Sequence, residues 1–376
     1  MKVLHFYKTS FPDSMGGVEQ VINQLARGAK KHGVKAEVLS LTRDREASTI
    51  EIDGYLTHRA KLDFQIASTG FSASAILRFS KLAKQADVIH YHFPWPFMDV
   101  VHFATNVKKP TVVSYHSDII KQKYLLKLYR PLQNRFLASV DRIVAASPNY
   151  LETSGVLKKF SGKVSVIPYG LDKASYPAPA AQKLQYWRDK LGRKFFLFVG
   201  VLRYYKGLHI LIEAAQGTDY PIVIVGAGPI EAALKAQAMQ LGLHNIHFLG
   251  QLPDEDKVAL LTLCYGVVFP SHLRSEAFGV SLLEGAMYGK PMISSEIGTG
   301  TTFINIADET GLVVPPSDPA ALKQAMQYLW QHPQQAAEMG KRAEERYWTH
   351  FTADQMVQSY VELYDNLIKS HDGASR

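Results

Sequence analysis

Three consecutive segments decide the fold: Val3-Leu-His-Phe-Tyr7, Lys8-Thr-Ser-Phe-Pro-Asp-Ser-Met-Gly-Gly17 and the pattern that begins near Val18. The first is mostly apolar and predicts a buried strand, and the second predicts a loop. Apolar residues then recur with the period of a helix, at Val18, Val21, Ile22, Leu25 and Ala29. Gly33 is expected to end this helix before a second strand, Ala36–Leu41. This order of elements predicts a parallel sheet that is covered by helices.

The same alternation recurs along the whole chain. In the first half, further strands are predicted at Val88–Tyr91, Thr111–Tyr115 and Arg142–Ala145. In the second half, strands are predicted at Phe195–Val199, Ile222–Val225, Ile246–Phe248 and Val267–Phe269, and helices at Leu208–Ala215 and Glu231–Gln240. A chain of 376 residues is long enough for two hydrophobic cores. The sequence therefore predicts an α/β protein with two Rossmann-like, doubly wound domains.

The predicted domain boundary lies near Val166-Ile-Pro-Tyr-Gly-Leu-Asp172, ahead of the Pro/Ala-rich connector Tyr176-Pro-Ala-Pro-Ala-Ala181. We place an N-terminal domain at residues 1–170 and a C-terminal domain at residues 171–353. Ligands of open α/β sheets bind outside the carboxyl ends of the strands. The expected site is therefore a cleft across which the two domains face each other.

Charge is distributed unevenly between the two halves. The formal net charge is +8, but residues 1–170 carry 24 Lys/Arg against 13 Asp/Glu, a net of +11, while residues 171–376 carry 18 against 21, a net of −3. A basic half suggests an anionic partner, such as a membrane surface, a nucleic acid or a diphosphate-linked substrate, although it could also serve solubility alone. Cys264 is the one cysteine and is expected to be a buried structural thiol. With no signal peptide and no apolar run long enough to span a bilayer, we expect a cytoplasmic protein.

The strongest functional signal is Ser275-Glu-Ala-Phe-Gly-Val-Ser-Leu-Leu-Glu284. A helix is expected to begin near Phe278 or Gly279, so the backbone amides of Phe278, Gly279 and Val280 would be free to hold a phosphate. Glu276, just before the helix, could reach a sugar on that phosphate, and Glu284 could accept bonds from ribose hydroxyls. The two carboxylates could instead merely complement the helix dipole.

These residues and four other motifs resemble the retaining glycosyltransferases of family 4, which have the two-domain GT-B fold and include bacterial polysaccharide mannosyltransferases. The resemblance covers almost the whole chain. It rests on Glu-x7-Glu at Glu276 and Glu284 and on four further motifs in the family's order: Gly16-Gly17, Tyr115-His-Ser-Asp118, Val166 to Asp172, and Gly200-Val-Leu-Arg-Tyr-Tyr-Lys-Gly207. Together these motifs are far more specific than Glu-x7-Glu alone.

The resemblance implies a role for each matching residue. Glu276 would contact hydroxyls of the transferred sugar on its reacting face, and Glu284 would bind the ribose. The amides of 278–280 would hold the donor sugar and diphosphate. In the Gly16-Gly17 loop, Gly17 would close over the diphosphate, and His116 would support catalysis by hydrogen bonds near the sugar.

The basic residues of Gly200–Gly207 would stabilise the leaving diphosphate. Lys206 matches the family's basic residue, whereas Val201 stands where many members have Arg, so Arg203 is the available substitute. Two cations between a strand and a helix suit an oxyanion clamp, and a purely solvated role is disfavoured because positive charge opposes the helix dipole there. The resemblance also implies that the last helix, at about residues 354–370, joins the first domain.

Two weaker signals concern cofactors. Val225-Gly-Ala-Gly-Pro-Ile-Glu231 begins like a dinucleotide fingerprint but has Glu231 where the third glycine belongs, so we interpret Gly226 as shaping a nucleotide pocket and treat an NAD- or FAD-dependent oxidoreductase as a poor alternative. His90 and His92 share one face of a strand. Without an evident third ligand, cleft lining or a structural role is favoured over a metal site. We expect no metal and no cofactor.

The segment Ile119–Phe136 mixes Lys121, Lys123, Lys127, Arg130 and Arg135 with apolar residues. It is typical either of a helix that lies on an anionic membrane or of a surface helix that buries its apolar stripe. The acceptors of similar bacterial enzymes are often lipid-diphosphate-linked glycans, which favours peripheral attachment to the inner face of the cytoplasmic membrane. No nucleic-acid reader motif accompanies the charge.

The sequence thus predicts a metal-independent, retaining transfer of a hexose from a sugar nucleotide to a glycan acceptor. The similarity favours mannose from GDP-mannose in O-antigen or lipopolysaccharide synthesis, with UDP-, dTDP- and other GDP-linked donors left open. A sugar-nucleotide epimerase or hydrolase, and a non-catalytic binding protein, are the competing classes.

Overall fold

The computed structural model describes residues 1–67, 69–119 and 123–374. They divide into two compact units. Unit 1 contains Met1–Leu171 and the stretch from Ala353 onward, and unit 2 contains Asp172–Thr352. Each unit is built around its own sheet, and within the described ranges no helix is both long and apolar enough to cross a bilayer.

The strands are, in chain order, β1 (Lys2–Phe6), β2 (Lys35–Thr42), β3 (Ser48–Ile52), β4 (Tyr55–Lys61), β5 (Phe64–Ile66), β6 (Thr69–Phe71), β7 (Val88–Phe93), β8 (Thr111–Tyr115), β9 (Arg142–Ala145), β10 (Val164–Val166), β11 (Phe196–Val199), β12 (Ile222–Val225), β13 (Ile246–Gly250), β14 (Gly266–Phe269), β15 (Met292–Ser295) and β16 (Gly311–Val314). The helices are α1 (Gly17–Ala29), α2 (Ala73–Gln85), α3 (Pro96–Ala104), α4 (Lys123–Ser139), α5 (Pro148–Thr153), α6 (Ala181–Leu191), α7 (Leu208–Ala214), α8 (Glu231–Gln240), α9 (Asp254–Leu263), α10 (Val280–Met287), α11 (Thr301–Ile304), α12 (Pro319–Gln331), α13 (Pro333–His350) and α14 (Ala353–Ala374).

The sheet of unit 1 has the order β10-β9-β8-β7-β1-β2-β4-β3. Its neighbours run parallel except for β3, which pairs antiparallel with β4 at the edge. β5 and β6 form a separate antiparallel ribbon. The predicted doubly wound fold is confirmed, but the expectation of purely parallel sheets is wrong at this edge. Parallel pairing needs a long crossover, whereas a two-residue turn, Asp53-Gly54, joins β3 to β4.

The sheet of unit 2 has the order β13-β12-β11-β14-β15-β16, and all of its neighbours are parallel. Its strands are short apolar runs because helices cover both faces. β11, β12 and β14 are almost wholly buried, and α7 and α12 pack their apolar sides onto the same core. Cys264 is 2% exposed, and burial raises the pKa of its thiol to about 11, as expected of a structural cysteine.

The C-terminal helix α14 returns to unit 1 and packs against α1. The two helices meet at Gly28, where an added Cβ would lie 2.6 Å from Cγ2 of Val357. Polar bonds fix the same helix to the sheet, because Tyr364 bonds to His90 at 2.6 Å and Tyr360 to Ser114 at 2.6 Å. Glycine at position 28 therefore permits the close approach of α1 and α14.

Replacing Gly28 with leucine should displace α14. Overpacking of this kind costs about 1–3 kcal/mol, more than the roughly 1 kcal/mol that a helix gains when glycine is replaced. We expect Gly28→Leu to lower the thermal midpoint and Val357→Ala to restore part of the loss in the double variant. Gly155→Leu is the control because nothing lies within 4 Å of an added Cβ there. A Gly28→Leu protein as stable as the wild type would contradict this packing.

Candidate active site

The strand order of unit 2 places the candidate site at the carboxyl ends of the two central strands of its sheet. The order runs outward in both directions from β11 and β14, which pair parallel through Phe196–Gly266 and Leu197–Val267. Such a switch point opens a crevice at the carboxyl ends of the two central strands. The loop after β11 carries Lys206, and the loop after β14 carries Glu276.

Lys206 and Glu276, separated by 70 residues in sequence, form an ion pair between Nζ and Oε2. Both side chains are nearly buried, with 11% and 12% exposure, and Lys206 Nζ also lies 4.8 Å from the ring centre of Phe269. The Ser271 hydroxyl lies 3.4 Å from the same carboxylate oxygen. Oε1 of Glu276 accepts no hydrogen bond from the described residues and is not a buried atom, so it is available to a ligand.

Arg203 stands apart from this pair. It precedes the short 3-10 turn Tyr204–Lys206, its side chain is exposed, and it forms no ion pair with any of the residues that the structure describes. The turn ends at Gly207, whose φ of 70° suits glycine and whose Cβ would lie 2.0 Å from the Pro270 carbonyl oxygen. The structure thus brings Lys206 to Glu276 and leaves Arg203 free at the surface.

Glu284 lies in the second turn of α10 and is 4% exposed. Its Oε1 accepts hydrogen bonds from the Tyr176 hydroxyl at 2.9 Å and from Lys257 Nζ at 3.1 Å. Among the described residues nothing bonds to Oε2. The two glutamates therefore share one arrangement, in which one oxygen is held by the protein and the other is open in the sense that it accepts no hydrogen bond from the described residues.

Lys257 is a site residue that the sequence reasoning missed. Burial lowers the pKa of Lys257, but the attraction of Glu284 and Asp254 outweighs it, so the pKa is raised and the ammonium stays charged. Its side chain is 18% exposed, and it bridges Asp254 and Glu284. Lys257 and Tyr176 are 27 and 108 residues from Glu284, so no local spacing points to them.

The helix α10 begins later than the sequence suggested. Gly279 precedes it with φ 100°, a left-handed conformation that favours glycine, so the helix starts at Val280 and not at Phe278 or Gly279. The first-turn amides without an intrahelical acceptor therefore include those of Val280 and Ser281. The Phe278 side chain is 2% exposed and packs beside Phe351 and Gly300, so it is part of the core of unit 2.

Gly226 serves the packing of two loops. At φ 132° it lies so close to the loop after β11 that an added Cβ would be 2.0 Å from the Gly200 carbonyl oxygen. Gly228 lies equally close to the backbone of Leu202, at 2.3 Å. Hydrogen bonds from Gly200 N to Val225 O and from Leu202 N to Ala227 O hold the two loops together. Gly226 thus fixes the loop that leads to Lys206, and its predicted contact with a nucleotide stays a prediction.

In unit 1, the Gly16-Gly17 loop follows β1 and leads into α1. Gly16 has an extended backbone, and an added Cβ would lie 2.6 Å from Oε2 of Glu19. Glu19 in turn accepts a hydrogen bond from Thr9 at 2.6 Å. The loop therefore keeps a carboxylate beside the glycine, at the amino end of α1.

His116 directly follows β8 and is 5% exposed. Its Nε2 lies 2.9 Å from Nδ1 of His92, and its Nδ1 is hydrogen-bonded to the Tyr169 hydroxyl. Burial, with a smaller contribution from Lys8, lowers the pKa of His116 to about 3, so the ring is neutral at physiological pH. Both ring nitrogens are already engaged inside unit 1.

His90 and His92 are fully buried, which fits the structural role and not the lining of a cleft, the two alternatives that the sequence left open. A third histidine, His5 on β1, lies beside them, and sequence analysis did not predict this. The possible ligand atoms of the three side chains lie within 4.8 Å of one another. This spacing is compatible with a metal ion. However, His90 already bonds to Tyr364 and Ser114, and His92 to His5 and His116, so their nitrogens are engaged by protein groups.

Family profiles and known proteins match both units of the chain. Residues 15–175 match the profile described as Glycosyltransferase Family 4, and residues 183–346 match Glycosyl transferases group 1. The chain is 66% identical over 353 residues to the D-rhamnosyltransferase WbpZ of Pseudomonas aeruginosa, covering 94% of this chain and 93% of the relative. The chain belongs to the family 4 glycosyltransferases. This glycosyltransferase is also 50% identical over 370 residues to the O-antigen chain mannosyltransferase C of Escherichia coli, covering 98% and 100% of the two chains.

Solved structures show the fold of the glycosyltransferase independently. It matches a sucrose-phosphate synthase from Thermosynechococcus elongatus with a TM-score of 0.82 at 21% identity, over 98% of this chain and 99% of that one. It matches Anabaena HepE in complex with UDP and glucose with a TM-score of 0.78 at 18% identity, over 97% and 99%. The predicted GT-B fold of two Rossmann-like domains is confirmed.

If Glu284 binds the ribose of a nucleotide and Lys257 holds Glu284 in place, removing the charge of Lys257 should weaken nucleotide binding. Lys257→Met keeps the length of the side chain but leaves the Glu284 carboxylate without its buried partner. We expect the dissociation constant for the preferred nucleoside diphosphate, measured by titration calorimetry, to rise about tenfold, or ~1.4 kcal/mol. Lys235→Met, which removes an exposed lysine from its pair with Glu231, is the control. Equal affinities for the wild type and Lys257→Met would contradict this role.

Proposed function

We propose that the chain is a retaining glycosyltransferase that transfers a manno-configured hexose, in the first place mannose from GDP-mannose, to a growing lipid-linked polysaccharide or O-antigen acceptor. The observation that carries the proposal is the pair of glutamates in unit 2, each held by a lysine and each with one open oxygen. The names of the two similar relatives support the choice of sugar, because D-rhamnose is 6-deoxy-D-mannose.

Glu284 is the proposed ribose ligand. Oε1 is fixed by Lys257 and Tyr176, so Oε2 has a defined position from which to accept bonds from vicinal hydroxyls. The amides at the start of α10 are the proposed diphosphate ligands, since they lie at the positive end of the helix dipole. Gly17 of the Gly16-Gly17 loop is proposed to approach the same diphosphate.

Lys206 is the proposed stabiliser of the leaving diphosphate. An ammonium has three N–H donors, so Lys206 can keep its bond to Glu276 and still donate to a phosphate oxygen. Arg203, exposed two residues before Tyr205, is the proposed second cation. We propose a metal-independent reaction in which these cations and the helix amides stabilise the developing charge.

Glu276 is proposed to position the sugar, not to attack it. Its Oε2 is bound to Lys206, which makes it a poor nucleophile, while Oε1 can accept hydrogen bonds from sugar hydroxyls. The acceptor hydroxyl would then attack from the face that the diphosphate leaves, through an oxocarbenium-like transition state, and the departing phosphate would take its proton. His116 is proposed to support the sugar from unit 1.

The assay measures transfer from GDP-mannose, GDP-D-rhamnose, UDP-glucose and dTDP-rhamnose to a synthetic lipid-diphosphate-linked oligosaccharide. We expect Glu276→Gln to lower kcat by about 100-fold or more because the sugar loses its charged ligand. Arg203→Ala should lower kcat less and also raise KM for the donor. Glu345→Gln, an exposed glutamate of the same unit, is the control.

Near-wild-type turnover of Glu276→Gln would contradict the site assignment. If only a UDP- or dTDP-linked donor is turned over, the proposed glycosyl transfer stands but GDP-mannose is the wrong donor. Consumption of the donor at the same rate without acceptor would favour an epimerase or hydrolase.

We also propose that α4 attaches the enzyme to an anionic membrane, which would place it at the cytoplasmic face where lipid-linked acceptors are extended. Tyr124, Leu125 and Leu128 are 87%, 51% and 82% exposed, so the N-terminal half of α4 does not bury its apolar residues. Lys127 and Arg130 are exposed beside them. The Tyr129 hydroxyl bonds to Asp99 on α3 and holds the helix to unit 1. Lys121 lies outside the described residues.

Vesicle flotation tests this attachment. The wild type should float with vesicles that contain anionic lipid and remain below with neutral ones, because apolar insertion and charge attraction act together. Leu128→Ser should weaken flotation, whereas Leu77→Ser, which removes another exposed leucine of unit 1 with 76% exposure, should not. Absence of flotation with anionic vesicles would contradict the proposal.

A further inference from the structure

A continuous chain of hydrogen-bonded aromatic side chains runs through the core of unit 1. It links the Tyr169 hydroxyl to His116 Nδ1, His116 Nε2 to His92 Nδ1 at 2.9 Å, and His92 Nε2 to His5 Nδ1 at 3.1 Å. The three histidines are 5%, 0% and 2% exposed, in the order His116, His92 and His5. Of these three histidines, sequence analysis assigned a catalytic role to His116 alone.

This series of hydrogen bonds restricts which ring nitrogen of each histidine can carry a proton. A neutral imidazole has one N–H and one lone pair, and each nitrogen–nitrogen link holds a single proton. If His5 donates from Nδ1, then His92 must donate from Nδ1 to His116, and His116 must donate from Nδ1 to Tyr169. If His5 accepts at Nδ1, all three rings carry their proton on Nε2. The three histidines therefore share one tautomer.

Burial keeps the three imidazole rings neutral, and the series of hydrogen bonds requires neutral rings. It lowers the pKa of His5 to about 3 and that of His92 well below its usual range, and the neighbouring histidines lower the latter further. It also raises the pKa of the Tyr169 hydroxyl well above its usual range, so that group keeps its proton. No ring can leave the shared tautomer by becoming charged near neutral pH.

We propose that His92 and His5 are positioning residues that set the tautomer of His116 and commit its Nε2 to the protein interior. Nδ1, now hydrogen-bonded to the Tyr169 hydroxyl, is then the nitrogen through which His116 meets the substrate, and a substrate hydroxyl would take the place of the Tyr169 hydroxyl there. The proposal rests on the function assigned above to His116. It adds that this function depends on His5, which acts on His116 through His92.

The first test is a long-range ¹H–¹⁵N correlation spectrum of the wild-type protein labelled with ¹⁵N-histidine. Single substitutions assign the signals of the three residues among the 14 histidines of the chain. We expect His5, His92 and His116 to be neutral at pH 7 and to carry the proton on the same ring nitrogen. Different tautomers among the three would overturn the proposal, and this test needs no variant to be active.

The second test uses His5→Phe and His92→Phe. Both should change the tautomer signals of His116 and lower kcat by about tenfold, the lower end of the loss found when the partner that orients a metal-bound histidine is removed, with KM for the donor unchanged. His90→Phe is the matched control. His90 is also fully buried, and its ring stacks on His92 at 4.3 Å, but its bonds go to Tyr364 and Ser114. It should leave the His116 signals and kcat unchanged.

The outcomes separate this proposal from the function on which it rests. If His116→Phe retains full turnover, the role of His116 is wrong whatever the spectra show. If His116→Phe loses turnover while His5→Phe changes neither the His116 signals nor kcat, the catalytic role of His116 stands. The proposal that His5 and His92 set its tautomer is then overturned. If His90→Phe matches His5→Phe in both the His116 signals and kcat, general packing explains the effect, and the proposal that His5 and His92 set the tautomer of His116 is also overturned.

Discussion

The parallel pairing of β11 with β14 is the constraint on which the candidate donor site depends. It brings together the carboxyl ends of the two strands and thus the loops that follow them, which carry Lys206 and Glu276, 70 residues apart in sequence. The pairing is tight at Gly266, where an added Cβ would lie 3.1 Å from the Pro291 carbonyl oxygen and 3.4 Å from the Phe196 ring. Once these strands pair, the loops after them must meet, and the Lys206–Glu276 ion pair is the contact they make.

In both units, polar side chains near the buried ends of the strands are paired with other groups of the protein. In unit 2, lysines compensate the carboxylates of Glu276 and Glu284 and leave one oxygen of each open. In unit 1, the polar groups are neutral, and histidines and tyrosines satisfy one another by hydrogen bonds. A buried polar group without a partner is costly, so each arrangement defines one geometry. Pre-organisation of this kind suits a site that must stabilise a transition state.

Much of the fold was predictable because buried parallel strands are short apolar runs. Thr111–Tyr115, Arg142–Ala145 and Ile222–Val225 were predicted to the residue. The sequence analysis missed β3, β5 and β6, which are short and partly exposed, so their apolar pattern is weak. It also missed the seven-residue β4, in which polar and apolar residues are mixed, and the short strands β10, β15 and β16. The helix α10 was expected to start near Phe278 or Gly279 and starts at Val280, one residue later, because Gly279 adopts a left-handed conformation. The Glu-x7-Glu spacing pointed to both glutamates, but their partners Lys257 and Tyr176, like His5 beside His92, are joined to them by tertiary packing alone, which no local spacing encodes.

The central claim is that unit 2 binds the nucleoside diphosphate of a sugar donor through Glu284, Lys206 and the start of α10. The most direct measurement is the thermal midpoint of the full chain with GDP, UDP, dTDP, NAD and FAD, each at the same concentration. A ligand that binds only the folded protein stabilises it by RT ln(1 + [L]/Kd), so at equal concentration the tighter ligand raises the midpoint more. The account predicts that GDP stabilises the protein most and that NAD and FAD have no effect. Stabilisation by NAD or FAD alone would contradict it.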